Sequence, residues 1–250
     1  HGQEQVSQRR NNFPKYFPPE QLMELVESTL DPNQKAIYLL CAFAGLRASE
    51  VLHVFVNDIV VQDGCLIPDL IVDHPVSGKT WCPKSGQLVS RIEVLNSFKN
   101  TQYYDPELSE KELKFVRNPI PRVNVPKPLH SGWKGGLLEP TVTKYNYVVQ
   151  WTEENAQLKF FDIVNKFLMR QKRCNHPYLF CSTNGAPLRL STYSKRFERE
   201  SERLTGERYA PHSLRHFCGF YASNCLEVPI DVAKIVLRHK RITSTAVYYH

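Results

Sequence analysis

Near the end of the chain stand His212-Ser213-Leu214-Arg215, then Leu237-Arg238-His239, then Thr245-Ala246-Val247-Tyr248-Tyr249-His250. Residues three apart on a helix share a face. A helix opened by Pro211 therefore directs His212 and Arg215 to one point near its N-terminus, where the backbone dipole also favours an anion. An arginine fork donates two parallel hydrogen bonds to a phosphate and keeps its charge, so a phosphate suits that point. Taken alone, a His/Arg pair at this spacing more often marks an exposed or capping pair on a surface helix, and only the rest of the chain decides between the two.

Upstream, Pro19 opens a helix carrying Leu22, Leu25, Val26 and Leu30, which ends before Asp31-Pro32, and a more apolar helix runs from about Asn33 to Phe43. Gly45 stands where a helix C-cap glycine is expected, and Ser49 with Glu50 opens the next short helix, leaving Arg47 at a corner facing a cleft. From Val54 to Leu95 β-branched runs alternate with turns at Asp63-Gly64 and Ser85-Gly86, which predicts a small antiparallel sheet with strands over 54–61, 66–72 and 88–95. Residues 100 to 150 hold six prolines and Gly135-Gly136 with little periodicity, and read as an insertion or long surface excursion contacting DNA or another protomer. The tyrosines from Tyr103 to Tyr147 read as filling of that loop rather than as base-stacking groups. Helical spacing returns at Phe160, Phe161 and Val164, from Ser191 to a stop at Gly206, after Pro211, and after Pro229 with Ile230, Ala233, Val236 and Leu237.

Taken in order, these segments resemble the tyrosine recombinase (phage integrase) family. Its pattern is an arginine in a Gly-Leu-Arg-x-Ser-Glu corner, a hairpin lysine, His-x-x-Arg, Leu-Gly-His and a tyrosine. Here the corner is Gly45-Leu46-Arg47-Ala48-Ser49-Glu50, the hairpin Pro83-Lys84-Ser85 before Arg91-Ile92-Glu93-Val94, and Tyr248 lies nine residues beyond His239. Tyr178-Leu179-Phe180-Cys181-Ser182 with Gly185 and Pro187-Leu188 is similar to the stretch before the family's last helices, so the resemblance spans most of the chain outside 100–150. Two departures stand out: Arg238 occupies the usual glycine, and the hairpin is longer, so that Lys79 competes with Lys84.

The resemblance implies an α+β fold, a mainly α-helical catalytic domain with a small antiparallel β-sheet. It also implies a site of Arg47, Lys84, His212, Arg215, His239 and Tyr248, with Glu50 orienting the basic groups. The chemistry is coherent. Phosphodiester exchange gathers negative charge in its five-coordinate transition state, which fixed cations stabilise. A tyrosine with a pKa of about 10 needs a proton acceptor, for which His212 is the candidate, and the departing 5′ oxygen needs an acid, for which Lys84 is the candidate. His239 donates a hydrogen bond to the phosphate. A phosphotyrosyl bond conserves the energy of the broken ester, so resealing requires neither metal nor ATP, and no cofactor is expected. His216 and Tyr249 are read as packing or DNA contacts, and His53, His74, His130 and His176 as surface or turn residues.

Composition agrees with this reading. Among 250 residues, 32 Lys and Arg against 25 acidic residues give a charge of +7, which suits a polyanionic partner, here double-stranded DNA. Seven cysteines without a CxxC pair, and no apolar leader, point to reduced thiols and the cytoplasm, and the resemblance implies a prokaryotic or phage/mobile-element setting. Ser77-Gly78-Lys79-Thr80 lacks the first glycine of a P-loop, whose place is taken by Asp73, and Cys174, His176 and Cys181 lack the paired spacing of a zinc site. Because the family carries a separate DNA-binding domain before the catalytic one and none precedes Arg9, the expectation is a fragment trimmed at both ends. It would be a homotetramer on DNA, a monomer alone, with no membrane partner. The rival readings are a type IB topoisomerase or telomere resolvase with the same site, and a non-catalytic DNA-binding module.

Overall fold

The computed structural model describes residues 14–61, 64–99, 108–136, 148–171 and 174–249. Helices α1 (Pro19–Ser28) and α2 (Pro32–Phe43) start at prolines, as their fixed φ favours, and the Asp31 carboxylate caps α2 by accepting from Asn33 N–H at 2.9 Å. Apart from Pro32 and Lys35, α2 is buried along its length because it is the central rod of the domain. It packs against α6 (Glu154–Gln171) and α8 (His212–Phe220), while α1 packs on both α2 and α7 (Leu190–Thr205). Phe17, Tyr38, Phe160, Tyr193 and Phe197 fill this core at 0% exposure, worth about 1.5–3 kcal/mol for each large apolar side chain removed from water.

The expected single sheet is instead two antiparallel ribbons. Strands β1 (Ile59–Val60) and β2 (Asp69–Leu70) pair Ile59 with Leu70, and β3 (Lys79–Cys82) and β4 (Gln87–Ser90) pair Lys79 with Ser90. The strand expected over 88–95 stops at Ser90, whose hydroxyl accepts from Ile92 N–H and caps α4 (Arg91–Ser97). Short α3 (Ala48–Val51) follows α2, and a 3-10 turn (Val56–Asp58) precedes β1. The turn at Asp63 and the tyrosines from Tyr103 to Tyr147 lie outside the described residues.

The part of the proline-rich stretch that is described, 108–136, is not a surface excursion. Helix α5 (Glu110–Arg117) and a 3-10 turn (Arg122–Asn124) contribute Phe115, Val116, Val125 and Leu129 to a second core with Phe55, Leu95 and Tyr178. Two buried arginines hold this region. Arg122 donates to the carbonyls of Leu129, Leu52 and Leu188 at 3.0, 3.0 and 2.7 Å. Arg91 lies over the Phe55 ring and pairs with both oxygens of Asp58 at 2.9 Å, and Asp58 also accepts from Thr80. Contrary to the surface assignment, His53 and His176 are buried. Burial foremost, with the Arg122 charge adding to it, pushes each imidazole down to about 3.

In the last third, α8 runs into a π-helical turn (Tyr221–Cys225), followed by α9 (Ile230–Val236) and α10 (Thr243–Ala246). No disulfide joins the cysteines among the described residues, and no helix among them is long and apolar enough to cross a membrane. Removing one partner of the Arg91–Asp58 pair strands a buried charge. Arg91→Met is therefore expected to destabilise the fold by about 3 kcal/mol or more in urea unfolding at pH 7.

Candidate active site

Construction of the site begins at Gly45. Its φ of +61° is left-handed, and a side chain there would meet Leu237 and the Val236 carbonyl at 3.1 and 3.3 Å. Glycine thus lets the end of α2 turn sharply against the end of α9. Arg47 caps α3, and Glu50 reaches back to it, accepting from the Arg47 guanidinium at 2.8 Å and from its backbone N–H at 3.3 Å. Glu50 is fully buried and also accepts from Arg238 at 2.6 Å. Burial alone would raise the Glu50 pKa, but Arg238, then Arg47 and Arg215, hold it below the usual carboxylate value.

Arg238 explains its own departure from the family pattern. Its φ is +50°, the left-handed conformation that glycine adopts freely, so the backbone there is what a Leu-Gly-His pattern would require. Arginine accepts the strain and gains the Glu50 ion pair. Arg215, 1% exposed, donates to the carbonyls of Gly45 and Leu237 and so ties the corner carrying Arg47 to the turn carrying His239. Those two bonds leave other guanidinium N–H donors for an anion. Burial foremost, then Arg47 and Arg238, pushes Arg215 down to about 10.

His239 is buried, with Nδ1 3.0 Å from the Thr245 hydroxyl; burial, then the charges of Arg215 and Arg47, push it down to about 3. His212 opens α8 and stacks edge-on against His216, with ring centroids 4.5 Å apart. Burial, then His216, Arg215, Arg47 and Lys134, push His212 down to about 4.

Tyr248 follows α10 and is 3% exposed. Its ring lies flat on Gly219 of α8, where a Cβ would come within 2.5 to 2.7 Å of the ring carbons. The hydroxyl is hydrogen-bonded to Nδ1 of His216 at 2.7 Å, and Asn224 of the π turn donates to the Tyr248 carbonyl at 3.3 Å. Burial pushes the phenol up to about 12 although Arg215 and Arg47 oppose it. Tyr249 points elsewhere, donating to the Val228 carbonyl at 2.6 Å.

Arg47, Glu50, His212, Arg215, His239 and Tyr248 thus gather at one site. Lys84 stands apart at the exposed tip of the β3–β4 hairpin. Among the described residues no side-chain hydrogen bond or ion pair joins it to this cluster. Lys79 begins β3, its N–H donating to Asp73 at 2.8 Å. Sequence reasoning missed three contributors. His216 was read as packing or a DNA contact, although it is hydrogen-bonded to Tyr248. Gly219, a glycine inside a helix, was a visible signal of close approach. Lys134 belongs to the stretch taken for a surface loop. That segment is pinned by Ser131 donating to the Ser49 carbonyl at 2.7 Å, and by Gly136 against Arg238, where a Cβ would meet the Arg238 carbonyl at 3.1 Å.

Two outcomes follow from this geometry. Gly219→Ala should destabilise the fold by about 1–3 kcal/mol through overpacking. In a Tyr248→Ala background the same change should be neutral or stabilising, because alanine is the better helix former by about 1 kcal/mol; a double-mutant cycle in urea reads the coupling. The depressed histidines are neutral when folded but bind protons when unfolded below their ordinary pKa of about 6.5. Their contribution is complete above that value and is lost as pH falls from there towards 3 to 4. Unfolding midpoints should drop across this window, and the buried imidazole NMR signals should not titrate above pH 5.

Comparison with known proteins agrees with the geometry. No curated protein matches the chain. Among solved structures, the XerH site-specific recombinase bound to difH substrate superposes with a TM-score of 0.56 at 13% identity, covering 95% of this chain and 51% of XerH. The XerA recombinase gives 0.55 at 15%, covering 98% and 61%, and the Tn1549 transposon integrase with transposon right end DNA gives 0.54 at 14%, covering 95% and 62%. The chain therefore spans about half to three-fifths of these proteins. Residues 144–250, which carry His212, Arg215, His239 and Tyr248, match the phage integrase family, and the chain as a whole takes the mainly helical fold of tyrosine recombinase catalytic domains.

Proposed function

We propose that this chain is the catalytic part of a site-specific DNA recombinase that cuts and rejoins strands through a 3′-phosphotyrosyl bond on Tyr248, integrating, excising or resolving a DNA element. The observation that carries the reading is a buried tyrosine hydroxyl within electrostatic reach of Arg47 and Arg215. Arg47 and Arg215 grip the non-bridging oxygens, His239 donates a further hydrogen bond, and Glu50 orients Arg47. A neutral histidine takes the tyrosyl proton as Oη attacks phosphorus and the bond to the 5′ oxygen breaks. Lys84, at the tip of an exposed hairpin, swings in to protonate that oxygen, while Lys134 adds positive charge beside His212. A 5′ hydroxyl of another strand reverses the steps, so neither metal nor ATP is consumed. On DNA the working form is a tetramer holding two duplexes, and the setting is the cytoplasm of a prokaryotic or mobile-element host.

On nicked suicide DNA bearing the native site, wild type and Tyr249→Phe are expected to leave a 3′-linked covalent adduct on a denaturing gel, with or without EDTA, whereas Tyr248→Phe leaves none. An adduct lost only in Tyr249→Phe would move the nucleophile by one residue. Absence of any adduct on DNA that the protein binds would favour a binding module. Lys84→Met should slow cleavage on the order of a hundredfold. A substrate with sulfur in place of the 5′ bridging oxygen, a leaving group that needs no proton, should restore the rate.

A further inference from the structure

The structure assigns the proton transfer from the nucleophile to His216, the histidine in contact with the tyrosine, rather than to His212 of the His-x-x-Arg pair; we propose that His216 Nδ1 is the general base. The assignment rests on the strand-transfer reading above. A base must lie within hydrogen-bond reach of the proton it removes, and His216 Nδ1 is 2.7 Å from Tyr248 Oη.

Three features fix that contact. Gly219, three residues after His216 and so near its face of α8, lets the Tyr248 ring lie directly on the helix. Asn224, on the π turn that extends the same helix, holds the Tyr248 carbonyl. Tyr249, anchored on the Val228 carbonyl, stops the chain from sliding by one residue. His212 is one helical turn back, more open to solvent than His216, and stacked edge-on against the His216 ring. That position suits a hydrogen bond to phosphate oxygen at the helix N-terminus.

For Tyr248 to donate, Nδ1 must carry the lone pair, so His216 is the tautomer protonated at Nε2. The groups facing it are His212 and Arg215 on its own helix, His239 after α9, and Tyr248. Burial, then the Arg215 charge, pushes His216 down to about 4, which keeps it unprotonated at neutral pH. A phosphodiester bound to Arg215 opposes that positive charge and so favours the imidazolium that forms as Oη bonds to phosphorus. On resealing, the Oη–phosphorus bond breaks and the Nδ1 proton returns to Oη.

The test measures single-turnover adduct formation on suicide DNA from pH 5.5 to 9.5 for wild type, His216→Asn, His216→Ala and His212→Asn. Circular dichroism and DNA binding confirm that each variant is folded. Asparagine places an amide oxygen where Nδ1 was, keeping the hydrogen bond but not the basicity. His216→Asn is expected to cleave on the order of a hundredfold more slowly at pH 7 and to recover by about tenfold per pH unit as hydroxide takes over. Added imidazole should restore His216→Ala in a concentration-dependent way. His212→Asn should keep the wild-type pH profile with a lower rate or weaker DNA binding. The proposal is overturned if His216→Asn cleaves within threefold of wild type across the range, or if the changed profile and the imidazole rescue belong to His212 instead. Should wild type itself give no adduct on bound DNA, the strand-transfer reading fails and the role of His216 fails with it, an outcome distinct from a defect confined to the variant.

Discussion

Everything at this site depends on one buried carboxylate. Glu50 lies at the end of a four-residue helix with no exposure, and Arg47 and Arg238 both bind it. Two cations on one anion, with Arg215 close enough to feel all three, leave an excess of positive charge in a place with little water. Burial foremost, with the Arg47 charge adding to it, lowers both Arg215 and Arg238, and Arg238 keeps Nε and Nη1 buried without a hydrogen-bond partner among the described residues. Without Glu50 the arginines would repel one another. With it they stay, and the remaining imbalance favours the entry of an anion such as a phosphodiester.

The helical core makes this arrangement possible. The basic residues of the cluster come from the corner after α2, the start of α8 and the turn after α9, so they meet only because α2 and α8 pack together and Gly45 lets the α9 turn close on them. Arg215 then locks the three parts through carbonyls rather than carboxylates. The same device recurs in Arg122, whose guanidinium binds three carbonyls from separate segments. In both cases the charge is buried with hydrogen bonds but without a direct anionic partner among the described residues. Arg122 lies over the Tyr178 ring of the second core, whereas Arg215 lies close to Arg47, Arg238 and Tyr248.

The proposed nucleophile, Tyr248, is buried rather than displayed. A phenol pushed up to about 12 is a poor attacking group, and its ring is pressed between Gly219 and the Cys218–Leu237 contact. The π turn after α8 belongs to the same device, because its Asn224 steadies the backbone from which Tyr248 projects.

Much of this was legible in the sequence because it is local. Proline starts, the glycine stop at Gly206, and helical spacing around α1, α2, α7 and α8 fixed the helices within a residue or two, and the order Arg47, His212, Arg215, His239, Tyr248 named the groups that converge. Strand endings were not legible, since whether 88–95 continues as a strand or becomes a helix depends on the Ser90 cap and on where Arg91 finds Asp58. Nor was the role of 108–136, whose proline-rich, aperiodic sequence looks like a loop until Phe115, Val116 and Leu129 meet a core built by distant residues. The sequence by itself determined which side chains can bind a phosphate and which can attack it, because that follows from residue type. Only the tertiary structure decided which histidine touches the tyrosine and why an arginine stands at position 238, because both depend on contacts between helices far apart in the chain.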